Sequence, residues 1–171
     1  MKQNSTTKPM TDKEQQFEQL VHEHKGTIYR VCYMFSKGDR DVDDLFQEVL
    51  IRLWMGFDTF RHESNPRTWV YRVCLNTCLN LEKKNKRGIS SLTLELDFDP
   101  VAEDADDAKQ MQMLHDRIAR LDMLDRALVL LWLEDISYDE IGAILGISTK
   151  NVSVRLVRVK EKLVKMTKET E

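Results

Sequence analysis

The chain has 171 residues, a formal charge of −3 and three cysteines, a length that suits one domain or two small ones. No run of about eighteen apolar residues occurs, which excludes a helical membrane span, and the polar start MKQNSTTKPMTDKEQQ lacks the apolar core of a signal peptide. An odd number of cysteines argues against a disulfide framework and fits a reducing cytoplasm.

Charge is unevenly placed. Residues 61–87 carry seven Lys/Arg against Glu63 and Glu82, residues 89–107 carry seven acids and no base, and residues 148–168 carry seven bases against Glu161. Two basic segments that flank an acidic one are the electrostatic footprint of a polyanion partner, or simply solvated helix ends beside a solvated linker.

Residues 1–10 form a polar tail, expected to be disordered. Phe17, Leu20, Val21, Ile28, Val31, Cys32 and Phe35 keep helical spacing around Gly26. Gly38 and Asp39 break the chain. A second helix is expected from near Asp41, with Asp41, Asp43 and Asp44 loading its first turn. Val42, Leu45, Phe46, Val49 and Leu53 make its buried stripe. The opposite face holds Asp44, Gln47, Glu48, Ile51 and Met55. That mixed acidic and apolar surface suits a protein partner, or is an ordinary helix face with two stray apolar residues.

Arg61–Asn65 read as a polar loop, Asn65 as a helix cap and Pro66 as a first helical residue. Neither Pro nor Gly interrupts residues 67–87, so one long helix follows. At about 100° per residue, Trp69, Arg72, Asn76, Asn80 and Lys83 fall in one stripe, with Val70, Val73, Cys74 and Thr77 beside it on the core side. A ring stacks on a base, an amide bonds a base edge, and a cation meets a phosphate. The stripe therefore suits a strand whose bases are pulled out of the duplex; the competing reading is a packed Trp with a solvated polar edge. Cys74 and Cys78 lie one turn apart without a nearby His or third Cys, and read as core residues rather than metal ligands.

Residues 89–107, with few apolar residues and many acids, read as a linker and a domain boundary. Asp106 or Asp107 is expected to cap the next helix, whose apolar stripe is Met111, Leu114, Ile118 and Leu121. Residues 124–133 are apolar enough to be buried. Ser137 followed by Glu140 is a capping box. Ile141, Ile144 and Leu145 face inward, and Gly146 ends the helix. Ser148 or Thr149 caps the last helix, which is expected to run to about Met166. Two helices joined by a short turn containing Gly form a helix-turn-helix; Gly142 is small where they cross, and Ile147, Val152 and Leu156 close the core. On the last helix Val152, Leu156, Val159 and Leu163 point inward. Lys150, Val154, Val157 and Arg158 lie opposite, with Asn151 at the edge, placed to meet thymine methyls, phosphates and guanine edges in a major groove, or forming a solvent face with two tolerated valines.

His22, His24, His62 and His115 are scattered, and no Cys/His or paired-carboxylate spacing makes a catalytic or metal site. No enzyme activity, metal or cofactor is expected. The fold class is all-α: two small helical domains joined by an acidic linker, the second with a helix-turn-helix. The boundaries are a tail at 1–10, a first domain at 11–88, the linker at 89–107 and a second domain at 108–171.

Three segments in order carry a family resemblance: DVDDLFQEVLIRLW, FRHESNPRTWVYRVCLNTCLN and SYDEIGAILGISTKNVSVRLVRVKEKL. The chain resembles a bacterial RNA polymerase sigma factor of the sigma-70 family, of the extracytoplasmic-function type, over most of residues 15–166. The resemblance implies a protein that directs core RNA polymerase to promoters and helps melt them, with regions 2 and 4 as its two domains. It places Asp44, Gln47, Glu48 and Ile51 against the polymerase β′ coiled coil, with the β flap as a further contact. It places Arg61, His62, Ser64, Asn65, Trp69, Arg72, Asn76, Asn80 and Lys83 at the −10 element, read partly as single strand. It places Lys150, Asn151, Ser153, Val154, Val157 and Arg158 at the double-stranded −35 element. An anti-sigma factor is a further expected partner, with no membrane insertion. Ser153 where Arg or Lys is frequent, Gly142 where Ala is usual, and Asn65-Pro66 in place of a Gly-rich turn depart from the family and leave the promoter sequence open. The alternative from the residues alone is a dimeric helix-turn-helix regulator of duplex DNA, which would not need the stripe Trp69–Lys83.

Overall fold

A computed structural model describes residues 9–37, 39–60, 64–87 and 105–169. Residues 1–8 of the expected tail, most of the acidic linker and the loop residues Arg61 and His62 lie outside the described residues. All seven elements are helices: α1 (Asp12–Phe35), α2 (Asp39–Phe57), α3 (Pro66–Arg87), α4 (Ala105–Ala119), α5 (Met123–Leu133), α6 (Tyr138–Leu145) and α7 (Thr149–Lys168).

Helix α1 opens on a reciprocal cap. Thr11 Oγ1 accepts from the Glu14 N–H at 3.3 Å, and the Glu14 carboxylate accepts from the Thr11 N–H at 2.7 Å. The helix runs unbroken through Gly26. Helix α2 starts at Asp39, two residues before the expected Asp41, whose carboxylate accepts from the Lys37 N–H at 2.8 Å. Helices α1, α2 and α3 pack on one another. Their shared core holds Ile28, Val31, Cys32, Val49, Leu53, Val70, Cys74 and Leu75, all fully buried; all but Leu75 belong to the inward set that the spacing predicts.

Helix α4 begins at Ala105, so Asp106 and Asp107 stand in its first turn rather than at its cap; acid is favourable in either place. Asp122 caps α5, its carboxylate accepting from the Asp125 N–H at 2.9 Å. Ser137 caps α6 by accepting from the Glu140 N–H, but the Glu140 carboxylate returns to the Ser137 hydroxyl rather than to its backbone. Ser148, not Thr149, caps α7. Gly146 has φ +70°, a left-handed conformation that glycine enters without a side-chain penalty. Ile118, Leu128, Leu131, Ile141, Val152, Leu156 and Val159 fill the core of this second unit.

Gly142 is needed for a different reason. A Cβ there would lie 2.7 Å from the Ile147 carbonyl oxygen, a backbone atom that cannot swing away. Gly142→Ala should lower stability by about 1–3 kcal/mol, the usual cost of overpacking, read as a fall in the urea midpoint.

The two units are not held apart. Helix α3 packs on α6, and α1 touches α4 and α5. Much of the junction is polar or aromatic. The rings of Tyr33 and His115 stand 4.5 Å apart, the Arg126 guanidinium lies 5.3 Å from the Phe35 ring, and Glu134 receives donors from the first unit. Such partners, far apart in sequence, leave no periodic trace.

Candidate nucleic-acid interface

Asn65 positions the start of α3. Its side-chain oxygen accepts from the Arg67 N–H at 2.9 Å, and its carbonyl accepts from the Trp69 N–H at 3.1 Å. Ser64, just before it, is half-buried. Within the stripe, Asn76, Asn80 and Lys83 are exposed. Asn76 and Asn80 line a cleft of about 360 Å³ between α2 and α3, together with Glu48, Arg52, Thr77 and Lys84. Two amides, two cations and a carboxylate around one opening can bond base edges and phosphates.

The other stripe members are less available. One face of the Trp69 ring stacks on Phe60, with centroids 4.6 Å apart and planes at 23°. The structure therefore combines both readings of the stripe: a packed ring at its start and an open polar edge after it. Arg72 donates from Nη2 to the Ala143 carbonyl of α6 at 3.1 Å.

The three thiols sit behind this surface. Cys32, Cys74 and Cys78 are all reduced and buried. Burial pushes the Cys74 thiol up, while the hydrogen bond to Cys32 and then burial push Cys78 up. Among the described residues no cluster of three His, Cys, Asp or Glu is arranged to hold a metal. Cys74 and Cys78 fill the core as expected, but a third cysteine does lie beside them: Cys32, brought from α1.

The outward face of α2 presents Asp44, Gln47, Ile51 and Met55, the last two 53% and 67% exposed. Glu48 turns to the cleft edge and pairs with Arg52 at 2.9 Å. It bridges the two surfaces that the sequence separates. Arg52, one turn beyond Glu48, is a cleft residue the stripe analysis missed; its i, i+4 relation to an acid was the available signal. Trp54, beside this face, is held from α1 by the Phe17 ring at 5.0 Å and by Lys13 Nζ 4.3 Å above it.

In the second unit, Lys150, Asn151, Ser153, Val154, Val157 and Arg158 are all exposed along α7. The Thr149 hydroxyl ties α7 to α6 by donating to Asp139 at 2.7 Å. Three bases of α7 are engaged by another helix of the unit instead. Lys160 lies 4.1 Å from the Trp132 ring centre, and Arg155 and Lys162 reach Asp125 at 2.8 and 2.9 Å. Asp125 is only 3% exposed. Burial favours its proton, but the hydrogen bonds from Lys162 and Arg155 outweigh that together and hold the carboxyl below its ordinary range. Among the described residues no helix is long and apolar enough to cross a membrane.

Comparison with known proteins matches this arrangement. Residues 20–88 match Sigma-70 region 2, and residues 111–163 match Sigma-70, region 4. The ECF RNA polymerase sigma factor SigE of Mycolicibacterium smegmatis is 32% identical over 160 residues, covering 86% of this chain and 60% of that protein. RNA polymerase sigma factor SigV of Bacillus subtilis is 25% identical, covering 99% of this chain and 98% of that one. The fold is shared with the sigma factor RpoE of Bartonella quintana, solved with the anti-sigma factor NepR, at a TM-score of 0.71, 19% identity, and coverage of 90% and 98%. With both regions matched in order on one chain, the protein belongs to the sigma-70 family of RNA polymerase sigma factors, in its extracytoplasmic-function group.

Proposed function

We propose that this chain binds core RNA polymerase in the cytoplasm, reads a −10 and a −35 promoter element with its two units, and opens the DNA between them without catalysing any reaction. The carrying observation is the pairing of two surfaces: the α2–α3 cleft with exposed Asn76 and Asn80, and the exposed row on α7 behind its helix-turn-helix. A regulator of duplex DNA needs only the second.

In this reading Asp44, Gln47, Glu48 and Ile51, with Met55 beside them, meet the β′ coiled coil, and the second unit meets the β flap. Asn76, Asn80, Lys83 and the 61–65 loop, with Trp69 and Arg72 at the upper edge, hold the −10 strand. Bases bound outside the stack offset an unstacking cost of a few kcal/mol per step. Lys150, Asn151, Ser153, Val154, Val157 and Arg158 read the −35 duplex. The first unit spans residues 11–88 and the second begins with α4 at Ala105, three residues before the expected boundary at 108, with the acidic stretch between them passing near the nucleic-acid path. The neighbour solved with NepR supports an anti-sigma factor as the controlling partner.

The test is transcription by core polymerase with and without the purified chain, followed by mapping of transcripts after overexpression. No binding to core, or no start site at any promoter, refutes the reading. Replacing Asp44 and Gln47 together with alanine should weaken core binding about tenfold or more in an anisotropy titration, as loss of central interface residues does. Oligonucleotide binding by the free chain should stay unchanged.

A further inference from the structure

Glu134 closes the junction between the two units. It stands at the end of α5, just before Asp135, a non-glycine residue held at φ +56°. Its side chain is 18% exposed. Arg30 grips it sideways, with Nε 2.6 Å from one carboxylate oxygen and Nη2 2.9 Å from the other. The Tyr71 hydroxyl donates to it at 3.2 Å. Arg67 Nη2 lies 3.8 Å from the carboxylate and donates to the Glu134 carbonyl at 3.1 Å. All three donors belong to the first unit, and the acid belongs to the second. A turn away along the same contact, Arg72 is taken by the Ala143 carbonyl.

Two guanidinium groups and a phenol O–H around one anion form a donor set that suits a phosphodiester as well as a carboxylate. Arg67 and Tyr71 lie on α3, the helix that carries Asn76 and Asn80, about half a turn around it from that pair. We propose that Arg30, Arg67 and Tyr71 form a phosphate site for the promoter strand, and that Glu134 occupies it in the free protein as an autoinhibitory latch. The inference takes its ligand from the promoter-binding reading above. In the closed form the latch fills the site and Arg72 is turned onto α6. Parting of the units frees both. A protein that is competent in only a fraction of its population binds more weakly by that fraction, so the free chain is a poor DNA binder.

The test uses the full chain and a labelled single-stranded oligonucleotide of about 20 nucleotides, long enough to cover one groove. Glu134→Gln keeps the shape of the side chain and removes its charge. It should raise affinity about tenfold, more than Glu18→Gln, an equal charge change on the exposed face of α1. Spin labels on Gln16→Cys and Lys165→Cys, both exposed sites, should report a longer and broader distance in the Glu134→Gln chain. Adding Arg30→Ala and Arg67→Ala should remove the gain in affinity while the distance stays long. An unchanged distance, an opened chain with no gain, or a gain that survives loss of both arginines each overturns the latch. Failure of the sigma-factor reading shows separately, as no transcription with core polymerase from either chain, and leaves the oligonucleotide titration readable.

Discussion

Asp125→Ala should strip about 3 kcal/mol from the stability of the second unit. The carboxylate is buried between α5 and α7 and anchors Arg155 and Lys162. Breaking a buried ion pair by removing one partner costs about 3–5 kcal/mol, because the other charge is left without compensation. Here the abandoned side chains are 36% and 52% exposed and can turn to water, which places the cost at the low end. Amide exchange in α5 and α7 should accelerate about a hundredfold, since each factor of ten corresponds to about 1.4 kcal/mol. Helices α1 to α3 should keep most of their protection.

The pH dependence follows from the direction of the Asp125 shift. Its folded pKa is depressed, so its contribution is complete above the ordinary carboxylate range and disappears as pH falls through the folded value. The natural chain should therefore lose stability in acid below about pH 4, and Asp125→Ala should show a flatter profile there. An alanine variant with natural exchange rates and the same acid profile would mean that the pair contributes nothing net.

Much of this fold is written locally. The inward residues of α2, the long α3 after Asn65-Pro66, and the Ser137–Gly146–Ser148 punctuation are set by 3.6-residue spacing and by caps. Each depends on neighbours within four residues, and each stands where the pattern puts it. Asp125 is different. With Arg126 it opens an otherwise apolar run, and the cations that make its burial tolerable come 30 and 37 residues later. The junction is less legible still, because Arg30 and Glu134 are 104 residues apart. Periodicity assigns Arg72 to the same face as Asn76, but only the packed chain shows that the face is partly covered by α6. For Trp69, the ring contact with Phe60 depends on how the segment between α2 and α3 returns, which no helical template encodes.

The amides that remain open carry the second large expectation. Asn76→Ala with Asn80→Ala should reduce promoter opening by about thirtyfold to a thousandfold, if each amide contributes about 1–2 kcal/mol to holding a base edge. Both side chains are exposed, so folding should change by no more than about 0.5 kcal/mol per site. Core polymerase affinity should be untouched, because the α2 face that carries Asp44 and Gln47 shares neither residue. The measurement is permanganate reactivity of unpaired thymines on a promoter found by transcript mapping, with core binding titrated in parallel. A parallel loss of polymerase binding would show that the two asparagines shape the first unit rather than touch DNA. Full thymine reactivity in the double variant would move strand recognition away from the cleft, toward Lys83 and the loop before Asn65. The double variant is more informative than either single one, since neighbouring amides on successive turns can each cover for the loss of the other.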